Sequence, residues 1–132
     1  NIQVDLSTDQ VYKVLVVEDN KINQMVTRKI MEKNNFKTII VDDGYAAIEA
    51  LNKESFDVVL MDINMPVMDG IECTKAIRVL ENKSKASIPI VAITGNYKNY
   101  TLDDFKKAGL NDYIQKPLDY DLLLATVRKH LS

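Results

Sequence analysis

Short apolar runs alternate with amphipathic stretches along this chain of 132 residues. We predict five strands, at 14–17, 38–41, 57–61, 88–93 and 113–115. The third strand lacks polar alternation, which indicates that both of its faces are covered. Helices are predicted after the strands, at 22–30, 45–53, 71–80, 101–108 and 119–131, with a polar loop at 81–87.

This alternation predicts an α/β fold of the (βα)5 type, a doubly wound parallel sheet with helices on both faces. The expected strand order is 2-1-3-4-5, in which the chain reverses direction between the first and third strands. We expect one domain over 11–132. Residues 1–10 are polar and aperiodic, and they are predicted to be a linker or the edge of a fragment. The chain begins without Met, which favours a fragment of a longer protein.

Polar functional groups follow four of the predicted strands. Glu18 and Asp19 come after the first strand, and Asp62 comes after the third. Thr94 ends the fourth strand, and Lys116 follows the fifth. Because the carboxyl ends of parallel strands share one edge of a sheet, we expect these groups to lie together at the switch point. The set predicts a metal-assisted phosphoryl site.

The predicted acidic cluster has a definite chemistry. Three close carboxylates repel one another unless a cation or a proton neutralises them. Oxygen ligands without nearby His or Cys favour Mg²⁺, and the backbone carbonyl of Asn64 is a further candidate ligand. The Asp62 carboxylate can act as a nucleophile and form an aspartyl-phosphate. Lys116 and Thr94 can stabilise the charge of a transferring phosphoryl group.

Several other residues carry backbone or packing expectations. Pro66 is expected to hold its predecessor extended, and Gly70 to give unusual backbone angles at the start of the third helix. The sequence leaves the isomer of the Lys116-Pro117 bond open; a cis bond, held by a tight turn at Pro117, would aim the lysine inward. The lone Cys73 is expected to be a buried packing residue, and His130 a surface or capping residue.

Each candidate also has an ordinary structural explanation. Adjacent acids after a strand often cap a helix, and either Asp19 or Asn20 could cap the first one. Asp62 alone could be a turn residue, Thr94 a solvated strand end and Lys116 a surface charge. Their joint position at four strand ends favours a functional site.

Composition narrows the class of protein. The net charge of −2 gives no reason to expect binding to nucleic acid or to a membrane surface. One cysteine excludes an internal disulfide and a cysteine zinc cluster. No apolar run approaches the roughly 20 residues that span a bilayer, and no signal-peptide pattern is present. We therefore expect a cytoplasmic domain, whose parent protein could be membrane-anchored.

Four motifs in order give the chain a family resemblance over about 12–131. They are VVEDN at 16–20, the segment from Leu60 to Gly70, IVAIT at 90–94, and Lys116-Pro117. The chain resembles the response regulator receiver domains of two-component phosphorelays, which have the flavodoxin-like (βα)5 fold. The segment EDNKINQ at 18–24 is most similar to receivers of hybrid sensor histidine kinases.

The resemblance implies roles for the residues at the acidic cluster. Asp62 matches the phosphoacceptor, and Glu18 and Asp19 match the pair that binds Mg²⁺. The Asn64 carbonyl matches a further metal ligand, and Lys116 matches the lysine that contacts the phosphoryl group. The implied donor is a phosphohistidine on a histidine kinase or a histidine phosphotransfer domain. Receivers catalyse their own phosphorylation and assist their own dephosphorylation, while the enzyme class of the parent protein stays open.

The resemblance also implies a conformational switch. Thr94 matches the hydroxyl that turns toward the phosphoryl group, and Tyr113 matches the aromatic residue that then moves inward. The output surface would comprise the helix at 101–108, the strand at 113–115 and the helix at 119–131. The chain departs from the family at Gly95, where alanine is usual, and the segment 96–101 is less typical.

Three rival functions share parts of the pattern. A Mg²⁺-dependent phosphatase with an aspartyl-phosphate usually has a second aspartate two residues after its nucleophile, where this chain has Asn64. A degenerate receiver that serves only for binding would lack site residues that are present here. An FMN-binding protein of similar architecture would have a phosphate loop rich in Ser, Thr and Gly after the first strand.

Overall fold

We describe residues 11–95 and 100–131 from a computed structural model of the chain. The predicted linker at 1–10 and most of the atypical segment at 96–101 lie outside the described residues.

A single parallel sheet organises the described residues. It consists of five strands: β1 Tyr12–Val17, β2 Phe36–Val41, β3 Val58–Asp62, β4 Ile90–Thr94 and β5 Asp112–Gln115. The strands are all parallel and lie in the order β2-β1-β3-β4-β5. The predicted strand order is confirmed, and β1 and β3 are neighbours at the point where the chain reverses direction.

Six helices flank this sheet within the described ranges: α1 Lys21–Lys33, α2 Gly44–Lys53, α3 Gly70–Arg78, α4 Lys83–Ala86, α5 Leu102–Ala108 and α6 Tyr120–Lys129. A side chain caps the start of each, because its oxygen accepts a hydrogen bond from a backbone N–H in the first turn. Asn20, rather than Asp19, caps α1. Asp19 is thereby left available at the end of β1.

Two hydrophobic clusters cover the two faces of the sheet. Side chains that alternate along the strands separate between them, with Leu15 and Met61 in one cluster and Val16 and Leu60 in the other. The first cluster continues into α2, α3 and α5, and the second into α1 and α6. Burial on both faces explains why the strand segments are almost continuously apolar.

The predicted polar loop at 81–87 is wrong, because residues 83–86 form the short helix α4. The Asn82 side chain caps it, and Ala86 is buried. Lys85 Nζ donates to the backbone carbonyls of Leu51 and Glu54 at the end of α2. Contacts across the fold hold α4 in place, and one turn is too short to show a helical period in the sequence.

Arg78, at the end of α3, connects several elements near the N-terminal ends of β4 and β5, whereas the acidic residues lie at the C-terminal ends of the strands. Its guanidinium donates to the carbonyl of Gly109 at 2.6 and 2.9 Å and to the carbonyls of Ala86 and Ile88 at 2.7 Å each. It also donates to Asn111 Oδ1 at 2.8 Å. Arg78 therefore joins α3 and α4 to the segments that lead into β4 and β5.

The one cysteine and the one histidine of the chain both have structural roles. Cys73 is fully buried, and burial raises the pKa of its thiol to about 12, which fits the predicted packing role. His130 is the C-terminal cap residue of α6, and its Nε2 lies 3.0 Å from Asp112 Oδ2. The expected capping position of His130 is confirmed, with the added contact to β5.

We expect Arg78→Ala to lower the free energy of unfolding by about 2–3 kcal/mol, because it removes charged donors from several carbonyls at once. Urea denaturation would measure the loss. Arg28→Ala is the matched control, since Arg28 is exposed and has weaker contacts, an i,i+4 ion pair with Glu32 at 3.2 Å and a 3.4 Å hydrogen bond to the Thr38 carbonyl. Its loss should be under about 1 kcal/mol. Equal losses in the two variants would contradict the assignment.

Candidate functional site

Three carboxylates meet where β1 and β3 end. One oxygen each from Glu18, Asp19 and Asp62 lies within 4.8 Å of the others. Glu18 and Asp62 are 5% and 3% exposed, whereas Asp19 faces solvent. The predicted convergence of these acids is therefore present in the structure. Its cause is the strand order, because β1 and β3 are adjacent although they are separated by β2 along the chain.

Backbone and helix contacts hold Glu18 in this position. Its own N–H donates to the Val41 carbonyl at 3.1 Å, and its Oε2 accepts from the Asn20 N–H at 3.1 Å. Gln24 Nε2 donates to the Glu18 carbonyl at 2.6 Å and to Asp42 Oδ1 at 2.6 Å. Sequence reasoning missed Gln24. Gln24 lies in the first turn of α1, six residues after Glu18 in the sequence. That spacing is a signal that could have indicated its contact with the Glu18 backbone.

Burial and charge repulsion both act on the two buried acids. Burial raises the pKa of Glu18 to about 7, and the negative charge of Asp62 adds to the shift. Burial also raises the pKa of Asp62, although the Lys116 ammonium and the Asn64 N–H act in the opposite direction. The site therefore favours binding of positive charge, which would relieve both effects.

Lys116 supplies a positive charge beside Asp62. Its Nζ lies 3.6 Å from Asp62 Oδ1. The peptide bond between Lys116 and Pro117, whose isomer the sequence left open, is cis. The Lys116 N–H also donates to the Thr94 carbonyl at 2.8 Å, so β4 and the end of β5 fix its backbone.

Thr94 and Asn64 complete the surroundings of Asp62. Thr94 is the last residue of β4 and is fully buried, and Asp62 pairs in register with Ile93 beside it. The Asn64 N–H donates to Asp62 Oδ1 at 3.2 Å, and Asn64 Oδ1 accepts from the Gly95 N–H at 3.4 Å. The residues that follow β3 and β4 therefore contact each other beside the carboxylate.

Tyr113 lies apart from the acids, on β5. Its side chain is 40% exposed, and its ring centroid lies 6.2 Å from that of the buried Phe105 on α5. Both residues line a cavity of about 390 Å³ together with Leu102 and Leu110. Tyr113 is thus on the α5–β5 surface, where the resemblance placed the switch aromatic residue.

An unusual turn follows Asp62 and was not expected. The Pro66 carbonyl accepts a hydrogen bond from the Met68 N–H at 2.8 Å, so Val67 is the centre of a three-residue γ-turn. Val67 has a φ of 68° and is 87% exposed. This conformation is strained for a β-branched residue by roughly 1–3 kcal/mol. Pro66 is the first residue of this turn, which stores backbone strain at Val67, while its expected role of holding Met65 extended stays a prediction.

The expected reason for Gly70 is wrong. Gly70 does not have a positive φ; among the described glycines only Gly109 does. Its requirement is space, because a Cβ there would lie 2.5 Å from the Asp62 carbonyl oxygen and 2.7 Å from Ile63 Cα. The Gly70 N–H donates to the Ile63 carbonyl at 3.0 Å, so α3 begins directly against the end of β3.

These groups form a coherent chemical site. A buried carboxylate lies beside one lysine ammonium and two further carboxylates, with a buried hydroxyl residue on the next strand. Such oxygen donors suit Mg²⁺, and the lysine suits an anionic phosphoryl group.

Residues 14–128 match the sequence profile of the response regulator receiver domain. The chain belongs to this family. It is a receiver domain of two-component signal transduction, as found in hybrid histidine kinases.

Related sequences include large signalling proteins. The receiver domain is 39% identical over 123 residues to hybrid signal transduction histidine kinase M of Dictyostelium discoideum, covering 88% of this chain and 5% of that protein. It is 37% identical over 118 residues to the sensor protein GacS of Pseudomonas syringae pv. syringae, covering 89% and 13%. The chain therefore spans a small part of the length of these relatives.

Solved structures agree with the fold. The receiver domain of a sensor histidine kinase from Pseudomonas aeruginosa PAO1, with a magnesium ion coordinated in its active site cleft, is 32% identical with a TM-score of 0.81, covering 91% of this chain and 97% of that chain. The chemotaxis protein CheY4 of Vibrio cholerae is 28% identical with a TM-score of 0.84, covering 92% and 100%. The predicted flavodoxin-like fold is confirmed.

None of the helices at 11–95 and 100–131 has the length and apolar character needed to cross a membrane.

We expect Gly70→Ala to lower the free energy of unfolding by about 2–3 kcal/mol, because the new methyl group would press on the backbone of β3. Gly95→Ala is the matched control, since its nearest neighbour would be Lys116 Cδ at 4.0 Å. That control should be neutral or stabilising by up to about 1 kcal/mol. Chemical denaturation of both variants is the measurement, and a tolerated Gly70→Ala would refute the tight contact.

A second prediction concerns the pH dependence of stability in metal-free protein. The pKa of Glu18 is raised by folding from 4.5 to about 7, so folded protein holds its proton more tightly than unfolded protein does. The resulting stability is fully present below about pH 4.5 and is lost as pH rises through about 7, by up to about 3 kcal/mol.

Glu18→Gln should remove this part of the pH dependence, because an amide does not titrate. Urea denaturation in EDTA between about pH 4.5 and pH 8 would measure it. Glu49→Gln, at an exposed position on α2, should retain the wild-type slope. A Glu18→Gln curve that runs parallel to the wild-type curve would contradict the assignment.

Proposed function

We propose that Asp62 of this receiver domain accepts a phosphoryl group from a phosphohistidine. The observation that carries the proposal is the environment of one buried carboxylate. Asp62 lies 3.6 Å from the Lys116 ammonium and within 4.8 Å of the Glu18 and Asp19 carboxylates. Few structural roles account for acids gathered and buried in this way, whereas phosphoryl transfer uses them directly.

The proposed step begins with attack of an Asp62 carboxylate oxygen on phosphorus, opposite the donor nitrogen. The new P–O bond forms as the P–N bond of phosphohistidine breaks. The electron pair of that bond returns to the imidazole ring, which leaves as neutral imidazole because its other nitrogen carries a proton. Lys116 stabilises the negative charge on the transferring group, and the later attack of water releases inorganic phosphate and restores the Asp62 carboxylate.

The acidic residues fit a bound Mg²⁺. The Glu18, Asp19 and Asp62 carboxylates would hold it, with the backbone carbonyl of Asn64 as a further ligand. The upward pKa shifts of Glu18 and Asp62 support this assignment, because bound positive charge would offset the repulsion that burial strengthens. When bound, the ion supplies charge neutralisation at the phosphoryl oxygens.

The switch is proposed to involve Thr94 and Tyr113. Thr94 would donate a hydrogen bond to the phosphoryl group, and Tyr113 would move inward from its exposed position. Phosphorylation shifts this equilibrium only as far as it favours one of the two arrangements. The changed surface would be formed by α5, β5 and α6.

The proposed donors are a histidine kinase or a histidine phosphotransfer domain, as for receivers in hybrid kinases. We propose that the parent protein is a hybrid histidine kinase and that the receiver acts in the cytoplasm. The relatives support the first proposal, and a sequence whose one cysteine can form no internal disulfide is compatible with the second. No contact with nucleic acid or membrane is proposed for this domain, because its net charge of −2 provides no general attraction.

Acetyl phosphate with Mg²⁺ should add one phosphoryl group to the purified domain, seen by intact-protein mass spectrometry. Asp62→Asn should abolish the addition, because an amide is not nucleophilic enough to form the acyl phosphate. Asp121→Asn is the matched control at an exposed position on α6 and should be labelled like wild type.

Removal of Mg²⁺ with EDTA should also prevent labelling. Equal labelling of Asp62→Asn and wild type would refute Asp62 as the acceptor. A wild-type domain that neither accepts phosphate from acetyl phosphate nor binds Mg²⁺ would instead be the degenerate binding module.

A further inference from the structure

A hydrogen bond connects the start of α5 to the start of α3. The Tyr100 hydroxyl donates to Asp69 Oδ2 at 2.5 Å. The other oxygen of Asp69 accepts from the Glu72 N–H at 2.9 Å and so caps α3. Asp69 thus uses its two oxygens for two different elements.

The Asp69 end of this bond lies on the backbone that follows the phosphoacceptor. Asp69 immediately precedes Gly70, which packs so closely on β3 that a Cβ would lie 2.5 Å from the Asp62 carbonyl oxygen. The Gly70 N–H is bonded to the Ile63 carbonyl at 3.0 Å. A displacement of the residues after Asp62 is therefore transmitted to Asp69 through tight backbone contacts.

The Tyr100 end lies next to the proposed output surface. Thr101, the next residue, caps α5 and forms a capping box with Asp104. The Tyr100 ring packs on Phe105 at a centroid distance of 6.4 Å, and Phe105 packs on Tyr113 at 6.2 Å. Three aromatic rings therefore run in series from the Asp69 bond to the proposed switch residue.

The hydroxyl is suited to act as a stable donor. Its hydrogen bond to Asp69 raises the pKa of Tyr100 to about 12. Tyr100 therefore keeps its proton at neutral pH, and Asp69 accepts a charge-assisted bond, which is stronger than a neutral one.

We infer that Tyr100 is a positioning residue for the phosphorylation switch, because its bond to Asp69 stabilises the arrangement in which Tyr113 points outward. The inference rests on the proposed function, since it concerns how readily Asp62 accepts a phosphoryl group. It adds a connection between the residues that follow β3 and the start of α5, separate from the Thr94 hydroxyl.

The direction of the effect follows from packing. The bond is present together with an exposed Tyr113, so it contributes its free energy to that arrangement. Inward movement of Tyr113 changes its contact with Phe105, and Phe105 is the ring on which Tyr100 rests. Loss of the bond therefore raises the population of the other arrangement, and a ligand that selects that arrangement binds more tightly.

The test uses beryllofluoride with Mg²⁺ as a phosphoryl mimic on the whole domain. Tyr100→Phe keeps the ring and removes only the hydroxyl, and we expect about threefold to tenfold tighter apparent binding. Tyr45→Phe is the matched control, since Tyr45 is 62% exposed on α2, and its affinity should equal that of wild type.

A second variant separates the bond from the helix cap. Asp69→Ser retains a capping oxygen for α3 but does not reach Tyr100. We expect it to tighten binding in the same direction as Tyr100→Phe. The double variant should show no further tightening, because both changes remove the same hydrogen bond.

A spectroscopic measurement without Mg²⁺ or beryllofluoride provides an independent readout. The chain has four glycines, whose amide signals are well suited to assignment by NMR. The Gly95 amide, next to Thr94, should shift in metal-free Tyr100→Phe part of the way toward its position in mimic-saturated wild type. If Tyr100 had a purely structural role, the Gly95 signal of the variant would not shift in the direction from metal-free to mimic-saturated wild type.

The outcomes are distinguishable. If wild type binds the mimic and Tyr100→Phe binds it equally or more weakly, the inference about Tyr100 is wrong while the proposed function stands. Additive effects of Tyr100→Phe and Asp69→Ser would also overturn it, because the two residues would then act separately. If wild type itself does not bind the mimic, the proposed function fails and the inference fails with it.

Discussion

Repulsion among Glu18, Asp19 and Asp62 is the constraint on which the rest of this structure depends. The strand order brings these carboxylates together, and burial of Glu18 and Asp62 weakens the screening that water would provide. The backbone N–H groups that bind Glu18 and Asp62, and the Lys116 ammonium, offset only part of the repulsion. The domain therefore keeps a locally unfavourable site within an otherwise well-packed sheet, which is the usual relation between stability and function.

The sheet and the site were predictable from the sequence because both follow from short-range patterns. Five apolar segments separated by helical spacing imply a parallel sheet, and the polar residues at strand ends then have one possible edge to occupy. Thr94 and Lys116 had no distinguishing local signal of their own. Their positions at the ends of β4 and β5 suggested the site, and the structure places the Lys116 ammonium 3.6 Å from Asp62 and Thr94 next to Ile93, the register partner of Asp62.

The features that sequence reasoning missed depend on contacts between distant parts of the chain. Arg78 binds carbonyls as far away as Gly109, and α4 is held by contacts that no helical period reveals. The spatial requirement at Gly70 arises from the close approach of α3 to β3, which a conformational explanation from sequence alone did not capture. The positive φ of Val67 has no residue-type signal, since valine disfavours it.

The guanidinium of Arg78 gives α5 two unlike ends. Its C-terminal end, at Gly109, is bound twice by Arg78, which is itself anchored on the carbonyls of Ala86 and Ile88. Near its N-terminal end, the Tyr100 hydroxyl donates a hydrogen bond to Asp69 on the segment before α3. If the proposed switch displaces the residues after Asp62, the N-terminal end of α5 would move more than the end that Arg78 binds at Gly109. A partner that contacts the first turn of α5 would then meet a larger change in shape than one that contacts its last turn.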